Sequence, residues 1–382
     1  MIGAIMLPSL TIPLLLAIGV AAPRPDTIVV SRHADTVTPP SADTATVVRV
    51  GAFVDGYVAY DRGRPRALDR AFTTQAARHG EFNVNLAFVD AVLTGPRVRG
   101  RVAMQAGTSV QVNYAGEPRI GATSGPDLAR LLQEAWAGYE VRPGLWVDAG
   151  VFFSNVGMEG WISSDHPTYT RSLVADYSPY YSSGVRATWQ ATPRLTVRAD
   201  VVNGWQVISE QNEDKSLGAR VDFAPTPSTT VSWYALGGRE VGARLRLFNG
   251  VGIKTRLAPT VDVMAALDVG REDAADTLRS PAHHWYGGSA VVRWQATPAV
   301  ALNARVERYA DPEQVIVVTG TTAGMRTNGA SLGVDLQPAA RLLWRTEARL
   351  LHDDSPIFPD RAARGGLARR NGVLLTAVTL RL

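Results

Sequence analysis

In many stretches of this chain charged residues stand two positions apart. Arg99 and Arg101 stand two apart, as do Lys254 and Arg256, and so do Arg345, Glu347 and Arg349. Arg186, Arg198, Arg220, Arg293 and Arg305 sit in similar alternating settings, as do Asp148, Asp200, Asp222, Asp268 and Glu307. Arg49, Asp55, Glu140, Asp262 and Asp335 extend the set. A period of two sends these side chains to one face of a strand and their neighbours to the other. Facing charges of opposite sign pair across strands and stiffen a wall, which accounts for most of them. A surplus of arginine around a narrow watery opening would instead bias passage towards anions. The polar stretch from Val156 to Tyr180 is long enough to fold into such an opening, where it would offer Glu159, Asp165, His166 and Arg171.

Other chemistry is sparse. Cysteine is absent, which excludes a disulfide framework and thiolate metal sites. His33, His79, His166, His283, His284 and His352 fall in the lead-in, loops or loop edges. Adjacent His283 and His284 could bind a metal only from a loop, because neighbouring strand residues point oppositely; the plainer reading is solvated loop residues. Ser163 and His166 put a nucleophile and a base in one loop, weak ground for a lipid hydrolase in a stretch that is polar anyway. Glu272-Asp273, and Asp353-Asp354 with Asp360, match no defined calcium loop and read as solvated charge. The stretch from Asn249 to Thr255 lacks phosphate-loop spacing and lies inside a strand pattern. No catalytic residue, metal or cofactor is expected.

The elements that would position the charges are strands. Around Thr192-Pro193-Arg194, Val185, Ala187, Trp189 and Ala191 enter and Leu195, Val197, Ala199 and Val201 leave, each alternating with polar residues. This is a hairpin with one apolar face, and it needs neighbours to be stable. The rest of the chain repeats it. Short turns are expected at Thr94-Gly95-Pro96, Arg142-Pro143-Gly144, Pro225-Thr226-Pro227, Ala258-Pro259, Thr297-Pro298 and Gln337-Pro338. Longer polar links are expected near 61–80, 111–130, 157–179, 207–215, 237–244, 272–284, 311–328 and 352–371, with a short amphipathic helix at Asp127–Glu134 in one of them. About sixteen strands result, with short turns on one rim and long loops on the other.

The N-terminus and composition set the compartment. Residues 1–22 form an apolar run ending Val20-Ala21-Ala22, read as a cleaved export signal, with an uncleaved anchor as the alternative. Residues 23–46 read as a flexible periplasmic lead-in, and 47–382 as one barrel. A net charge of +4 with arginines spread along strands argues against nucleic acid. With 46% hydrophobic and 19% charged residues, neither disorder nor a helical bundle is indicated. Turns sorted by length, a polar face rich in charge, and rim aromatics favour a transmembrane barrel over a soluble sandwich. Trp189, Trp233, Trp294 and Trp344 lie near short turns, and Tyr57, Tyr60, Phe153, Tyr181, Trp205, Tyr286 and Tyr309 lie towards the loops.

GAFVDGYVAYDRGRP at 51–65, EFNVNLAFVD at 81–90, the stretch 152–189 and VVNGWQVISEQNEDKSLGARVDFAP at 201–225 resemble the putative beta-barrel porin-2 family. The resemblance implies an outer-membrane barrel and a pore, and brings no catalytic residues. The sequence therefore points to an all-β, antiparallel up-and-down barrel in a bacterial outer membrane. It would be a channel for passive diffusion of small polar solutes or ions, with mild anion preference and no enzyme activity. The alternative is a closed or plugged barrel with a surface-binding or structural role. Expected partners are outer-membrane lipids, the solutes themselves and a second copy of the chain.

Overall fold

A computed structural model describes residues 46–242, 244–274 and 282–382. The stretches read from sequence as an export signal and lead-in lie outside the described residues, except Thr46. Strands β1 (Val47–Asp61), β2 (Phe82–Thr94), β3 (Val98–Ala106), β4 (Leu132–Arg142) and β5 (Leu145–Phe153) open the sheet. It continues through β6 (Tyr181–Thr192), β7 (Leu195–Val202), β8 (Ser216–Thr226), β9 (Thr229–Val241) and β10 (Arg244–Ala258). Then come β11 (Val261–Glu272), β12 (His283–Thr297), β13 (Val300–Asp311), β14 (Met325–Ala339) and β15 (Leu342–Asp353). In the last loop β16 (Phe358–Pro359) pairs with β17 (Leu367–Ala368), and β18 (Arg370–Arg381) closes the wall. Sixteen strands form one closed antiparallel barrel, in which each pairs with its sequence neighbour and β18 pairs with both β15 and β1. Closure leaves no open edge, as a backbone surrounded by lipid requires.

Period two decides which residues face where. Along β13, Leu302, Ala304 and Val306 are exposed on the outside, while Ala301, Asn303, Arg305, Glu307 and Tyr309 are buried inside. On β15, Trp344, Thr346, Ala348 and Leu350 alternate outward with inward Arg345, Glu347, Arg349 and Leu351. Trp189, Trp233, Trp294 and Trp344, each 41–49% exposed, form an outward aromatic band near the short turns. Tyr60 and Tyr286 face outward near the other rim. Tyr57, Tyr181 and Tyr309, expected beside them, are buried, and Trp205 stacks edge-on with Phe248 and Trp285 inside the barrel. Their ring systems find apolar partners within the lumen, which is not uniformly wet.

Tight links join β4–β5, β6–β7, β8–β9, β10–β11 and β12–β13 at Pro143-Gly144, Pro193-Arg194, Pro227-Ser228, Pro259-Thr260 and Pro298-Ala299. Proline suits these sites because its fixed φ matches a turn and its missing N–H is not needed there. Two of the expected turns are displaced along the chain. Pro338 lies in β14, where the register slips between Leu336 and Ala339, and the turn is at Ala340-Arg341. Pro225 lies at a similar slip in β8 between Phe223 and Thr226. A residue with no donor is tolerated in a ladder at such irregularities. The long link expected at 237–244 is strand: β9 and β10 pair up to Val241 and Arg244. The Asp127–Glu134 helix shrinks to α2 (Pro126–Ala129), preceded by α1 (Thr108–Asn113), and Leu132 already belongs to β4. His283 and His284 are strand residues on opposite faces of β12, so they present no joint metal site.

Candidate functional site in the barrel lumen

The loop between β5 and β6, residues 154–180, lies inside the barrel. It carries a short 3-10 turn (Ser163–Asp165) and α3 (Leu173–Asp176), and Trp161, Ser163, Tyr169, Thr170, Ser172 and Leu173 are at most 1% exposed. Backbone donors and carbonyls taken out of water must find partners, and here the wall charges supply them.

Charges on β13 and β15 across the barrel, with Asp55 on β1, hold the segment. Arg345 Nη1 donates to Ser163 O (2.6 Å) and Nη2 to the carbonyls of His166 (3.0 Å) and Pro167 (2.5 Å). Arg305 donates to the side-chain oxygens of Thr168 and Thr170 (2.8 Å each) and to the carbonyl of Thr170. Glu347 accepts from the N–H (2.8 Å) and hydroxyl (2.6 Å) of Thr170. Glu307 accepts from the N–H of Leu173 (2.7 Å) while Arg349 grips both its oxygens at 2.9 Å. Asp55 accepts from Ser163 Oγ (2.7 Å), Asn85 Nδ2 (3.0 Å) and Tyr169 OH (3.1 Å). Hydrogen bonds to charged groups contribute about 1.5–3 kcal/mol each, more than neutral ones.

The near end is tied as well. Arg220 donates to the carbonyls of Asn155 (2.9 Å) and Gly157 (2.8 Å), and Arg381 to Asp165 (2.8 Å). Glycines make the room: a Cβ at Gly252 would overlap Met158, and one at Gly287 would overlap Val174. Met158, Leu173 and Val174 thereby join Phe152, Tyr234, Phe248, Met264 and Trp285 in an apolar cluster within the barrel.

Among the four residues read as a constriction, Glu159 accepts from the N–H (2.9 Å) and hydroxyl of Ser172. Arg171 donates to Ala175 O (2.6 Å) and lies 3.5 Å from the Tyr180 ring centroid. The two side chains bind the segment to itself. His166 sets one ring nitrogen 3.0 Å from Gly160 O and the other 3.1 Å from Thr168 O. Burial, with help from the guanidiniums of Arg171 and Arg345, pushes its pKa down to about 3. At neutral pH the ring is uncharged and donates to one of the two carbonyls. Burial also raises the carboxyl pKa of Asp176, which accepts from Thr74 Oγ1 at 2.5 Å.

The remaining wall charges lie on the inward phase and pair with one another. Arg99 meets Asp148 (2.5 Å), Arg101 meets Asp90 (2.9 Å) and Glu134, and Arg186 meets Asp200 (2.9 Å). Asp222 sits between Arg198 (2.6 Å) and Arg220 (3.0 Å), Arg256 meets Asp262 (2.8 Å), and Arg293 joins Arg345 on Asp335. Asp268 accepts from Tyr234 OH (2.6 Å). Lys254 differs: it is half-buried on β10 and has no ion pair or hydrogen bond among the described residues. Nearest the short turns the pairs stay partly open to solvent, with Arg256 and Asp262 35% and 31% exposed.

At the loop rim, inward carboxylates end several strands and cap the loops that follow. Asp311 accepts from the N–H groups of Val315, Ile316 and Val317 (2.8–2.9 Å), Asp353 from those of Arg326 and Ser355 (2.7 Å), and Asp61 from that of Gly63 (2.9 Å). Asp353, expected as solvated charge, is instead buried and accepts from the N–H groups of Arg326 and Ser355 and from Thr327 Oγ1. Asp55 stood out from sequence only as one of the alternating charges and Ser163 only as a loop hydroxyl; Tyr169 and Thr170 within the segment, and its spacers Gly252 and Gly287, carried no such signal. The one mark of the spacers is glycine on an inward strand phase, which allows close approach from inside.

A search of the curated proteins finds no match. Among solved structures, the outer membrane channel DcaP of Acinetobacter baumannii is similar with a TM-score of 0.59 at 10% identity, covering 88% of this chain and 98% of that one. OmpF of Salmonella typhi follows at 0.58 and 9%, covering 88% and 97%. An anion-selective porin from Comamonas acidovorans gives 0.56 and 9%, covering 88% and 100%. At these identities the likeness is one of fold. Residues 47–382 match the family model described as putative beta-barrel porin-2, OmpL-like.

Proposed function

The chain belongs to the putative beta-barrel porin-2, OmpL-like family, and from that premise we propose an outer-membrane channel, not an enzyme, for passive diffusion of small polar solutes or ions. The observation that carries the reading is the segment 154–180 lying across the lumen on Arg305, Arg345, Glu307 and Glu347. It narrows the path to the wall around Lys254, Arg198, Arg220, Asp222, Arg256 and Asp262. In that path most charges cancel in pairs, and Lys254 gives a mild preference for anions.

Single-channel current in a planar bilayer tests this, using purified, detergent-folded protein. Deleting residues 160–170 should raise the unit conductance several-fold while the protein keeps its heat-modifiable gel shift. A deletion protein that folds and conducts like the parent removes the segment from the path. The depth at which Thr170 and Leu173 are buried favours a second reading, a barrel plugged at rest whose loops bind a surface partner. Silence from the folded parent, with current from the deletion protein, would select it.

A further inference from the structure

The chain's net charge is +4, yet its lumen charges are largely paired. The surplus lies outside, on two loops of the long-loop rim. The β1–β2 loop carries exposed Arg62, Arg64 and Arg66; the β15–β18 connection carries exposed Arg361, Arg364 and Arg369 and runs into Arg370. The two loops form one surface. Arg361 N donates to Gly63 O (2.9 Å), Arg62 N donates to Gly372 O (2.8 Å), and Phe72 packs edge-on against Phe358.

Nearby carboxylates are engaged elsewhere. Asp69 and Glu81 hold Arg78, Asp61 holds Arg70, and Asp360 accepts from the N–H of Ala362 (2.8 Å), which leaves Asp354. Among the described residues none of the seven guanidiniums has an ion-pair partner. Arg64 donates to Tyr60 OH (3.1 Å) and lies over its ring. So many like charges on one surface, faced there by only the Asp354 and Asp360 carboxylates, repel each other, and anions brought from outside relieve that.

The surface reaches down to the lipid. Arg370 is outward on β18 and pairs in register with outward His352, while Tyr60 on β1 pairs with Leu374; Tyr60 is 49% and Leu374 56% exposed. An interfacial tyrosine and an apolar ledge thus lie directly below a bank of arginines. The guanidinium fork matches phosphate with two parallel bonds, and basic clusters at the membrane surface select anionic headgroups. We infer that this surface docks the phosphorylated headgroups of outer-leaflet glycolipids, with acyl chains along Leu374 and the arginines on the phosphates. A soluble polyanion would have no use for the ledge.

The test uses the full-length protein in detergent with an acylated glucosamine disaccharide bearing two phosphates, beside its dephosphorylated form and inorganic polyphosphate. The phosphorylated glycolipid should bind well above both. The triple variant Arg361→Gln/Arg364→Gln/Arg370→Gln should weaken it about tenfold or more, at roughly one bilayer-surface charge contact per arginine. Arg239→Gln/Arg271→Gln, elsewhere on the same rim, should leave it unchanged, and all variants must show the folded gel shift. Equal binding of the dephosphorylated glycolipid, or undiminished binding by the triple variant, overturns the inference. Polyphosphate binding as tightly as the glycolipid overturns the lipid assignment.

Discussion

Single residues in the lumen act through what they hold. Arg305 touches Thr168, Thr170, Ser331 and Glu347 from a side chain without solvent exposure. Replacing it by leucine leaves Glu347 without its arginine, while Glu307 keeps Arg349; breaking a buried pair this way costs about 3–5 kcal/mol. Arg305→Leu should therefore expose the 160–170 stretch to added protease while the barrel itself stays intact; unchanged resistance would show that the segment needs no such anchor. Gly252→Ala works from the opposite side, since the new methyl group meets Met158. Overpacking of about 1–3 kcal/mol should loosen the segment and make the open-channel current noisier. For Lys254→Gln, the zero-current potential in a salt gradient should move towards cations by several millivolts, as expected when one of few unpaired charges sets ion preference. An unmoved potential would place selectivity elsewhere.

The inward segment behaves as an element with its own pH dependence. The His166 imidazole has a pKa of about 3 in place against an ordinary 6.5 when released. The released state thus binds the proton more readily, and the seated state loses stability progressively as pH falls from about 6.5 towards 3. The raised pKa of Asp176 works in the opposite sense, because the seated carboxyl takes up its proton more readily than a released one. Conductance of the parent should rise on acidification below about pH 6, and His166→Gln should flatten that rise; identical curves would assign it to other groups.

The strands around this element were legible because each repeats the same alternation, so Arg305, Glu307, Arg345 and Arg349 came out on one face. The length and polarity of the 156–180 stretch pointed it into the barrel, but what seats it there was not legible. Its own residues carry no period, and its anchors are remote: Ser163 and Arg345 are 182 residues apart. Rim aromatics were ambiguous for a physical reason. Tyr60 on the outer face and Tyr309 on the inner face occupy equivalent places along a strand, and only the phase separates them.

At the scale of the whole molecule, the same remoteness governs the order in which the protein can be made. The segment emerges after five strands, yet its partners at Glu307, Arg345 and Glu347 lie 134 to 182 residues further on, and Asp165 waits for Arg381, one residue from the end. Contacts so distant in sequence form late, because the loop between them must first be closed. β1 and β18 must also meet, with Leu382 N donating to Ala52 O at 2.8 Å, before the lumen has a far wall. That order predicts assembly in two stages, the closed barrel first and the seating of the segment second. During refolding into detergent, the heat-modifiable band should appear before the 160–170 stretch becomes protease-resistant. For that interval the closed barrel stands without the segment that crosses its lumen, its inward arginines and carboxylates open to water.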